Sequence, residues 1–195
     1  MMQHPLLQHI RTVAEITEEQ EPEILAHFSE QDIPKKQILL EEGHPCYDYY
    51  FVEKGCLRLY FVDGKGIEQT IQFAIENWWL TDLQAFRSGS ASSFSIQAVE
   101  KTRVQHIRKK DHDQLLEKFP LLHRYFSFIY ERAYAASLFR IRLLRLTREE
   151  VYHLFIKNYG PFVQRIPQKL VASFLGFTPE YLSELRKKQK RSPGK

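Results

Sequence analysis

The sequence predicts an α+β protein with an N-terminal β-roll of the jelly-roll type, a long helix and a C-terminal helical unit. Three patterns support this fold class. Short segments rich in β-branched and aromatic residues lie between residues 37 and 107, an apolar heptad repeat follows, and the last third fits short helices joined by a glycine turn. A chain of 195 residues that is 43% hydrophobic has room for one large domain or two small ones. We divide it into residues 1–118, 119–147 and 148–195.

Composition excludes several classes of protein. No apolar stretch approaches the roughly 18 residues that a membrane span needs, and the N-terminus lacks the basic start and apolar core of a signal peptide. We therefore expect a cytoplasmic protein without membrane contact. Cys46 and Cys56 are too few for a disulfide scaffold, and their separation matches no common zinc or redox spacing, so we interpret them as reduced thiols.

The first part of the chain predicts short helices and then strands. Residues 5–30 show helical spacing of apolar residues. Six strands are predicted after them: Gln37–Leu40, Tyr49–Glu53, Leu57–Val62, Ile67–Phe73, Phe94–Val99 and Thr102–Ile107. The segment Asp63–Gly66 is a natural hairpin turn because its residues tolerate positive φ. Many short strands with regular glycine turns indicate a sandwich or jelly-roll barrel.

The long helix carries apolar residues at alternating spacings of three and four, which is typical of a coiled-coil seam. The predicted dimer interface consists of Leu122, Tyr125, Ile129, Arg132, Ala136, Phe139 and Leu143. A second face is also apolar and contains Leu121, Phe128, Ala135, Leu138 and Ile141. Two apolar faces need two partners, which we predict to be the β-roll of the same chain and the same helix of a second subunit. The alternative is a helix buried within one chain.

Charge is divided unevenly along the chain. Residues 1–100 hold 7 Lys or Arg against 16 Asp or Glu, whereas residues 101–195 hold 21 against 8. A basic C-terminal part attracts phosphates without specifying a sequence, so the asymmetry favours a polyanion partner. The alternative is a solvated basic surface ending in a frayed tail.

The C-terminal part predicts three helices, the last two of which are in a defined arrangement. A helix ends at Gly160–Pro161, a second runs from Pro167 to Leu175, and a third covers Tyr181–Lys188 after a cap at Thr178. Relative positions 0, +4, +10 and +13 hold Ala172, Gly176, Leu182 and Leu185. This pattern supplies a small residue where the helices touch, a glycine in the turn and an aliphatic inner face, which is typical of a DNA-binding helix-turn-helix.

These motifs resemble a known family of dimeric bacterial transcription factors, that of the catabolite activator protein and the fumarate and nitrate reductase regulator (Crp/Fnr). The matching segments are Ile38–Gly43, Tyr50–Tyr60, Ala98–Glu100, Arg165–Gln168, Ala172–Gly176 and Thr178–Ser183. The resemblance covers residues 5–188 and implies a cyclic-nucleotide-binding-like β-roll, a dimerisation helix and a helix-turn-helix domain. The segment Glu76–Trp79 followed by Asp82 resembles a Bacteroidetes-like branch.

The resemblance also implies an effector site, but its phosphate clamp is altered. Where the family has a Gly-Glu pair and an Arg followed by Ser or Thr, this chain has Thr81, Asp82, Ser92 and Ser93. A serine hydroxyl cannot replace the guanidinium, so we expect no binding of cyclic AMP in the family manner. The candidate ligand-binding residues are Trp79, Asp82, Arg87, Ser92, Ser93 and Ser137. The alternative is a pocket filled by Trp78, Trp79 and Phe86 that binds nothing.

The recognition helix departs from the family at Glu184, where many members have an arginine. A glutamate accepts a hydrogen bond from cytosine and is repelled by phosphate, so base preference changes or binding weakens. The candidate DNA-binding residues are Gln168, Thr178, Glu180, Tyr181, Ser183, Glu184, Lys187 and Lys188. Because only a short basic tail follows Lys188, we expect any wing strands to precede the helices, near Phe162–Ile166.

The predicted function is a homodimeric transcription regulator that binds double-stranded DNA and senses an unidentified small-molecule effector. The alternative is a ligand-binding or protein-interaction module of the same fold that has lost effective DNA recognition. A metal-dependent jelly-roll enzyme ranks third, because the eight histidines include no pair at metal-ligand spacing and the chain lacks nucleotide-binding and nucleophile motifs. We expect no enzymatic activity, no metal and no cofactor.

Overall fold

The structure is a computed structural model that describes residues 4–191, except for the side chains at 161 and 189–191. The chain forms two compact units. Unit 1 contains residues up to Phe61 together with Gln72–Ala133, and unit 2 contains Val62–Ile71 together with the residues from Tyr134 onward. The outermost residues of the predicted first and last segments, 1–3 and 192–195, lie outside the described part.

Within the described residues, eight strands form two four-stranded sheets. Their bounds are β1 Ser29–Ile33, β2 Ile38–Leu40, β3 Asp48–Lys54, β4 Leu57–Val62, β5 Glu68–Ala74, β6 Trp79–Leu80, β7 Ser95–Ala98 and β8 Thr102–Arg108. The sheets have the strand orders β1-β8-β3-β6 and β2-β7-β4-β5, and the registered pairs β1–β8, β3–β8, β3–β6, β2–β7 and β4–β7 are antiparallel. The predicted β-roll is confirmed, and each of the six predicted strands overlaps an observed one.

Two strands were missed for physical reasons. Strand β1 exposes most of its side chains and carries the polar sequence Ser-Glu-Gln-Asp before Ile33, so it lacks the apolar alternation that predicts a strand. Strand β6 has only two residues, both buried. Each is specified by its neighbour in the sheet, β8 and β3 respectively, rather than by local pattern.

Five helices begin in unit 1: α1 Pro5–Arg11, α2 Glu21–Leu25, α3 Leu83–Ser88, α4 Lys109–Lys118 and α5 Leu122–Leu143, the last of which continues into unit 2. Helix α1 buries Leu6, Leu7 and Ile10. An aromatic cluster fills the core around Trp79, whose ring lies 4.7 Å from that of Tyr49 and 5.6 Å from that of Phe126, centroid to centroid. Burial of these large rings supplies much of the hydrophobic stabilisation of the unit.

Four of the seven residues of the predicted α5 seam are buried within the chain, which corrects the predicted dimer interface at those positions. Leu122, Tyr125 and Ile129 are buried in unit 1, at 0%, 0% and 5% exposure. Leu143 is buried in unit 2, whereas Arg132, Ala136 and Phe139 are half-buried. The repeat of apolar residues is present, but it identifies the face of α5 that packs against its own chain. The fully buried residues of the seam are therefore not available to a second subunit.

Unit 2 contains three further helices: α6 Arg148–Val163, α7 Gln168–Leu175 and α8 Pro179–Arg191. Helix α6 begins with a capping box, in which the Thr147 hydroxyl accepts the Glu150 N–H while the Glu150 carboxylate accepts the Thr147 N–H. The break predicted at Gly160–Pro161 is present as a kink at Tyr159, whose dihedral angles are non-helical (φ −131°, ψ 18°), and helical residues continue beyond it to Val163. Pro161 has no backbone N–H to continue the helical hydrogen bonds, which accounts for a kink at this point.

No wing strand is present near Phe162–Ile166, the place where the sequence analysis expected any such strands. These residues form the end of α6 and a turn, and no strand follows Arg108 in the part of the chain that the structure describes. The compact units also differ from the predicted boundaries, since they divide α5 between Ala133 and Tyr134 and include residues 62–71 in unit 2. No helix among residues 4–191 is long and apolar enough to cross a membrane.

Candidate effector and DNA-binding sites

The segment that would clamp a cyclic phosphate is closed by Asp82. Its Oδ1 accepts the Ala85 N–H (3.2 Å) at the start of α3, and its Oδ2 accepts the Ser92 hydroxyl (2.9 Å) and the Ser93 N–H (3.3 Å). Asp82 and Ser92 are buried, at 8% and 3% exposure. A buried carboxylate therefore already occupies the anion position at the start of this short helix, as an N-cap that also ties down the Ser92–Phe94 turn.

The structure brings only some of the predicted ligand-binding residues together. Asp82, Ser92 and Ser93 form the closed cluster, but Ser93 contributes its backbone N–H and its side chain is exposed. Arg87 is exposed on α3 and is not hydrogen-bonded to these residues. Ser137 belongs to unit 2, on an exposed part of α5. The clamp region of unit 1 therefore contains no guanidinium bound to the Asp82 cluster.

Trp79 belongs to a second polar cluster inside unit 1. Its indole N–H donates to the Tyr125 hydroxyl (2.9 Å), which also lies 2.7 Å from Nδ1 of His9. Nε2 of His9 lies 3.4 Å from the guanidinium of Arg132. Burial and the Arg132 charge together lower the pKa of His9 to about 4, so the ring is neutral near pH 7 and its Nε2 serves as an acceptor for Arg132.

Sequence analysis assigned Arg132 to the dimer seam and did not assign His9 or Tyr49 to any site. The guanidinium of Arg132 instead stacks on the Trp78 ring (4.5 Å) and lies near that of Phe128 (5.6 Å). One signal was available in the sequence, namely a single arginine within an otherwise apolar seam. A charge in such a position needs a specific partner, which here is an aromatic face.

Helices α7 and α8 are joined by a turn at the predicted glycine. Gly176 caps α7 in the left-handed conformation (φ 71°), and the Phe177 N–H donates to the Ala172 carbonyl (2.9 Å) to close the turn. Ala172, Leu182 and Leu185 are buried, at 0%, 1% and 6% exposure. The inner faces of both helices are thereby fixed, which leaves one side of α8 exposed.

The exposed side of α8 carries both signs of charge. Glu180, Glu184, Lys187 and Lys188 are exposed, as is Gln168 at the start of α7, while Ser183 is half-buried. Thr178 caps α8 by accepting the Tyr181 N–H (3.2 Å). The acids lie near the N-terminal end, where a helix dipole favours them, and the lysines lie toward the C-terminal end.

Tyr181 is held against α6. Its hydroxyl donates to the Glu149 carboxylate (2.9 Å), and Arg148 lies over its ring at 5.1 Å. The backbone N–H of Glu149 and the Tyr181 hydroxyl both lower the pKa of that carboxyl. Tyr181 therefore positions α8 within the unit, a role that sequence analysis did not give it.

Residues 62–71 bind to α7 within unit 2. The Ser173 hydroxyl donates to the Glu68 carbonyl (2.8 Å) and accepts the Thr70 N–H (2.8 Å), so it pairs with this segment as a strand would. Arg140 donates to the carbonyls of Phe174 and Thr70, and its guanidinium stacks on the Phe174 ring at 4.0 Å. Burial lowers the pKa of Arg140 to about 10. Sequence analysis identified neither Ser173 nor Arg140, because their roles depend on tertiary contacts.

Apolar side chains are exposed on the unit 2 part of α5. Tyr134, Leu138 and Ile141 are 66%, 48% and 57% exposed and follow each other at helical spacings of four and three. Leu144, just beyond the helix, is 78% exposed. Leu138 and Ile141 belong to the second apolar face that the sequence showed, and such a row is characteristic of an interface.

The described residues contain no group of three or more His, Cys, Asp or Glu side chains that could hold a metal ion. Cys46 and Cys56 are both buried, and neither forms a disulfide within the described residues. Burial raises the pKa of the Cys46 thiol, which makes it a poor nucleophile near neutral pH.

Comparison with known proteins agrees with this architecture. Residues 30–119 match the family model of the cyclic nucleotide-binding domain. No curated protein sequence matches the chain. The structure is similar to FixK2 from Bradyrhizobium japonicum, with a TM-score of 0.74 and 17% identity over 84% of this chain and 85% of that one.

Two further solved structures are similar over nearly the whole chain. A CooA mutant from Carboxydothermus hydrogenoformans has a TM-score of 0.72 and 17% identity, with 98% of this chain and 86% of that one covered. CLP from Xanthomonas campestris, described as a c-di-GMP responsive global regulator, has a TM-score of 0.72 and 14% identity over 91% and 96%. The predicted resemblance to Crp/Fnr regulators is confirmed at the level of the fold.

Proposed function

We propose that this chain, which contains a cyclic nucleotide-binding domain and has the fold of Crp/Fnr regulators, is a homodimeric transcription regulator that binds double-stranded DNA in the cytoplasm. The observation that carries the proposal is the helix-turn-helix of α7 and α8. Its buried inner face and left-handed turn at Gly176 hold α8 as a recognition helix. Its exposed lysines provide contacts to phosphates.

The dimer is proposed to form through the exposed row of α5, Tyr134, Leu138 and Ile141, in place of the buried seam. A symmetric pair of α5 helices would bury these side chains against their own copies, as an isologous interface requires. Two copies of α8 would then read a palindromic site with half-sites about one helical turn apart.

The effector is proposed to be something other than a cyclic nucleotide bound in the family manner. The Asp82 carboxylate takes the backbone and hydroxyl donors around α3, and a phosphate placed about 4 Å from it would be repelled by roughly 4 kcal/mol at an effective dielectric constant of 20. Repulsion of this size corresponds to about a thousandfold loss in affinity.

One observation favours the alternative of a module without sequence-specific DNA binding. Glu180 and Glu184 place two carboxylates on the exposed side of α8, where phosphates repel them, and Glu149 restrains Tyr181. A helix of this kind can dock on a protein in place of DNA. The same experiment distinguishes the two functions.

The test is selection of bound fragments from a genomic DNA library by the full-length protein, followed by sequencing. A palindromic motif is expected, and Glu184→Gln should change the preferred base at one position of each half-site. Lys187→Gln should weaken binding to all sequences about equally and reduce its salt dependence. Glu117→Gln, at an exposed position of α4, is the matched control and should change nothing. Retention indifferent to sequence would reject the regulator and leave the alternative.

A further inference from the structure

The first turn of α6 carries charged side chains beside α8, the proposed recognition helix. The guanidinium of Arg148 lies 5.1 Å from the ring centre of Tyr181, and the Glu149 carboxylate accepts a hydrogen bond from the Tyr181 hydroxyl at 2.9 Å. The pKa of the Glu149 carboxyl is lowered by its own backbone N–H and by that hydroxyl, and the charges of Lys188 and Arg148 lower it further. Two cations and one anion of unit 2 therefore lie within electrostatic reach of one another.

Tyr181 and Lys188 lie on the same side of α8, because their spacing of seven residues is about two helical turns. This side is distinct from the inner face, on which Leu182 and Leu185 are buried. It is therefore a flank of α8, between the inner face and the side that points away from the unit. The charged first turn of α6 widens this flank.

A recognition helix in the major groove places its flanks next to the DNA backbone. An α-helix with its side chains is about 10–12 Å wide and the groove is about 12 Å wide, so a row of phosphates passes along each flank of the helix. Contacts to these phosphates fix the register of the helix, and many of them come from arginine and lysine. Side chains at the start of α6 would thus meet the backbone when α8 meets the bases.

Arg148 is suited to bind a phosphate at this flank. Its side chain is exposed, and it forms no ion pair within residues 4–191. A guanidinium placed over an aromatic ring keeps the N–H donors at its edge available for a phosphate. Glu149 has the opposite effect, because its exposed carboxylate lies beside the same position and is repelled by phosphates.

From these contacts we infer that the first turn of α6 is a second part of the DNA interface, in which Arg148 binds a backbone phosphate and Glu149 limits the affinity for DNA. The inference rests on the proposed function, because it requires α8 to enter the major groove. Both contributions depend on the charge of the DNA backbone and are the same for every base sequence.

The salt dependence of DNA binding tests the Arg148 contact. Each neutralised phosphate steepens the fall of log affinity with log salt by about 0.9, and it contributes about eightfold at ~0.1 M salt relative to about 1 M. In fluorescence anisotropy with the full-length protein and a synthetic duplex of arbitrary sequence, Arg148→Gln should lose about one such contact. Arg148→Lys should retain it, because a lysine also neutralises a phosphate. Lys157→Gln is the matched control, because this exposed residue lies about two and a half turns further along α6, on the opposite side, and should change the slope far less.

Glu149→Gln should act in the opposite direction. The amide oxygen of glutamine can still accept the Tyr181 hydroxyl, so the contact between α6 and α8 is kept while the charge is removed. Affinity for the same duplex should rise severalfold at ~0.1 M salt, and its salt dependence should become steeper. Glu117→Gln, at an exposed position of α4, should change neither quantity. Circular dichroism verifies that each variant is folded.

The outcomes separate this inference from the proposed function. An unchanged salt dependence in folded Arg148→Gln, or an unchanged affinity in folded Glu149→Gln, would overturn the inference alone. A slope that Arg148→Lys fails to preserve would do the same, because Arg148 would then act only through its contact with Tyr181. Binding that is indifferent to sequence, with both variants behaving as expected, would reject the regulator and support the α6 contact. Absence of binding to any duplex at low salt would overturn both.

Discussion

The closed clamp region makes a quantitative prediction about stability. Asp82→Asn replaces one carboxylate oxygen by an NH2 group, which must then face either the Ala85 N–H or the pair formed by the Ser92 hydroxyl and the Ser93 N–H. In both orientations a buried donor meets another donor. Loss of a hydrogen bond to a charged group costs about 1.5–3 kcal/mol, and the surrounding residues are too buried for water to compensate fully. We expect the free energy of unfolding of unit 1 to fall by about 2–3 kcal/mol.

Urea unfolding followed by tryptophan fluorescence measures this change, since both tryptophans belong to unit 1. With a typical urea dependence of about 1–3 kcal/mol per molar, the midpoint should fall by roughly 1 M. The matched control is Asp32→Asn, which breaks the ion pair with Arg103 (3.0 Å) on the exposed edge strand β1. Exposed ion pairs are screened, so this variant should move the midpoint far less. A shift no larger for Asp82→Asn than for Asp32→Asn would refute the idea that Asp82 braces the clamp region.

Two further predictions concern the dimer and the dependence on pH. Leu138 is 48% exposed, so covering its side chain in both subunits would stabilise a dimer by about 2 kcal/mol. Leu138→Asp removes this burial and places a carboxylate in the interface. Sedimentation velocity of this variant should therefore show monomers at micromolar concentration. Gln114→Asp, at an exposed position of α4, should remain dimeric, and an unchanged Leu138→Asp dimer would exclude the proposed row. Because the pKa of His9 is lowered to about 4, the unfolded chain binds the proton more tightly, so stability should fall as the pH falls from about 6.5 to about 4. The expected loss in the free energy of unfolding is about 1–2 kcal/mol after allowance for the partial exposure of His9. In urea unfolding at several pH values, His9→Gln should reduce the dependence of stability on pH, whereas the control His123→Gln, at an exposed position, should not. An equal pH dependence in the two variants would contradict the assignment to His9.

The β-roll and the glycine turn between α7 and α8 were predictable because their signals are local. Alternation of apolar residues defines most strands, and the turn needs a glycine at Gly176 for its left-handed conformation. Helix α3 and strand β6 escaped detection because each is short and owes its existence to tertiary contacts, with α3 capped by Asp82 and β6 paired to β3. The local sequence pattern cannot predict such tertiary contacts.

The roles of individual side chains were harder to predict than the elements that carry them. The heptad repeat of α5 is real, but a periodic apolar face indicates only that something covers it. For Leu122, Tyr125 and Ile129 the cover is unit 1 itself. The exposed row Tyr134, Leu138 and Ile141 can be recognised as a separate surface only after the three buried residues have been assigned to the core.

Two charged side chains of unit 1, Asp82 and Arg132, are best considered together. The Crp/Fnr resemblance places a guanidinium in the clamp region, but this chain has Ser92 there, and the Asp82 carboxylate takes the nearby donors for itself. A guanidinium without a carboxylate partner is found instead on α5, at Arg132, stacked on Trp78. A phosphate at the clamp region would therefore meet the Asp82 carboxylate in place of the arginine that the family resemblance implies.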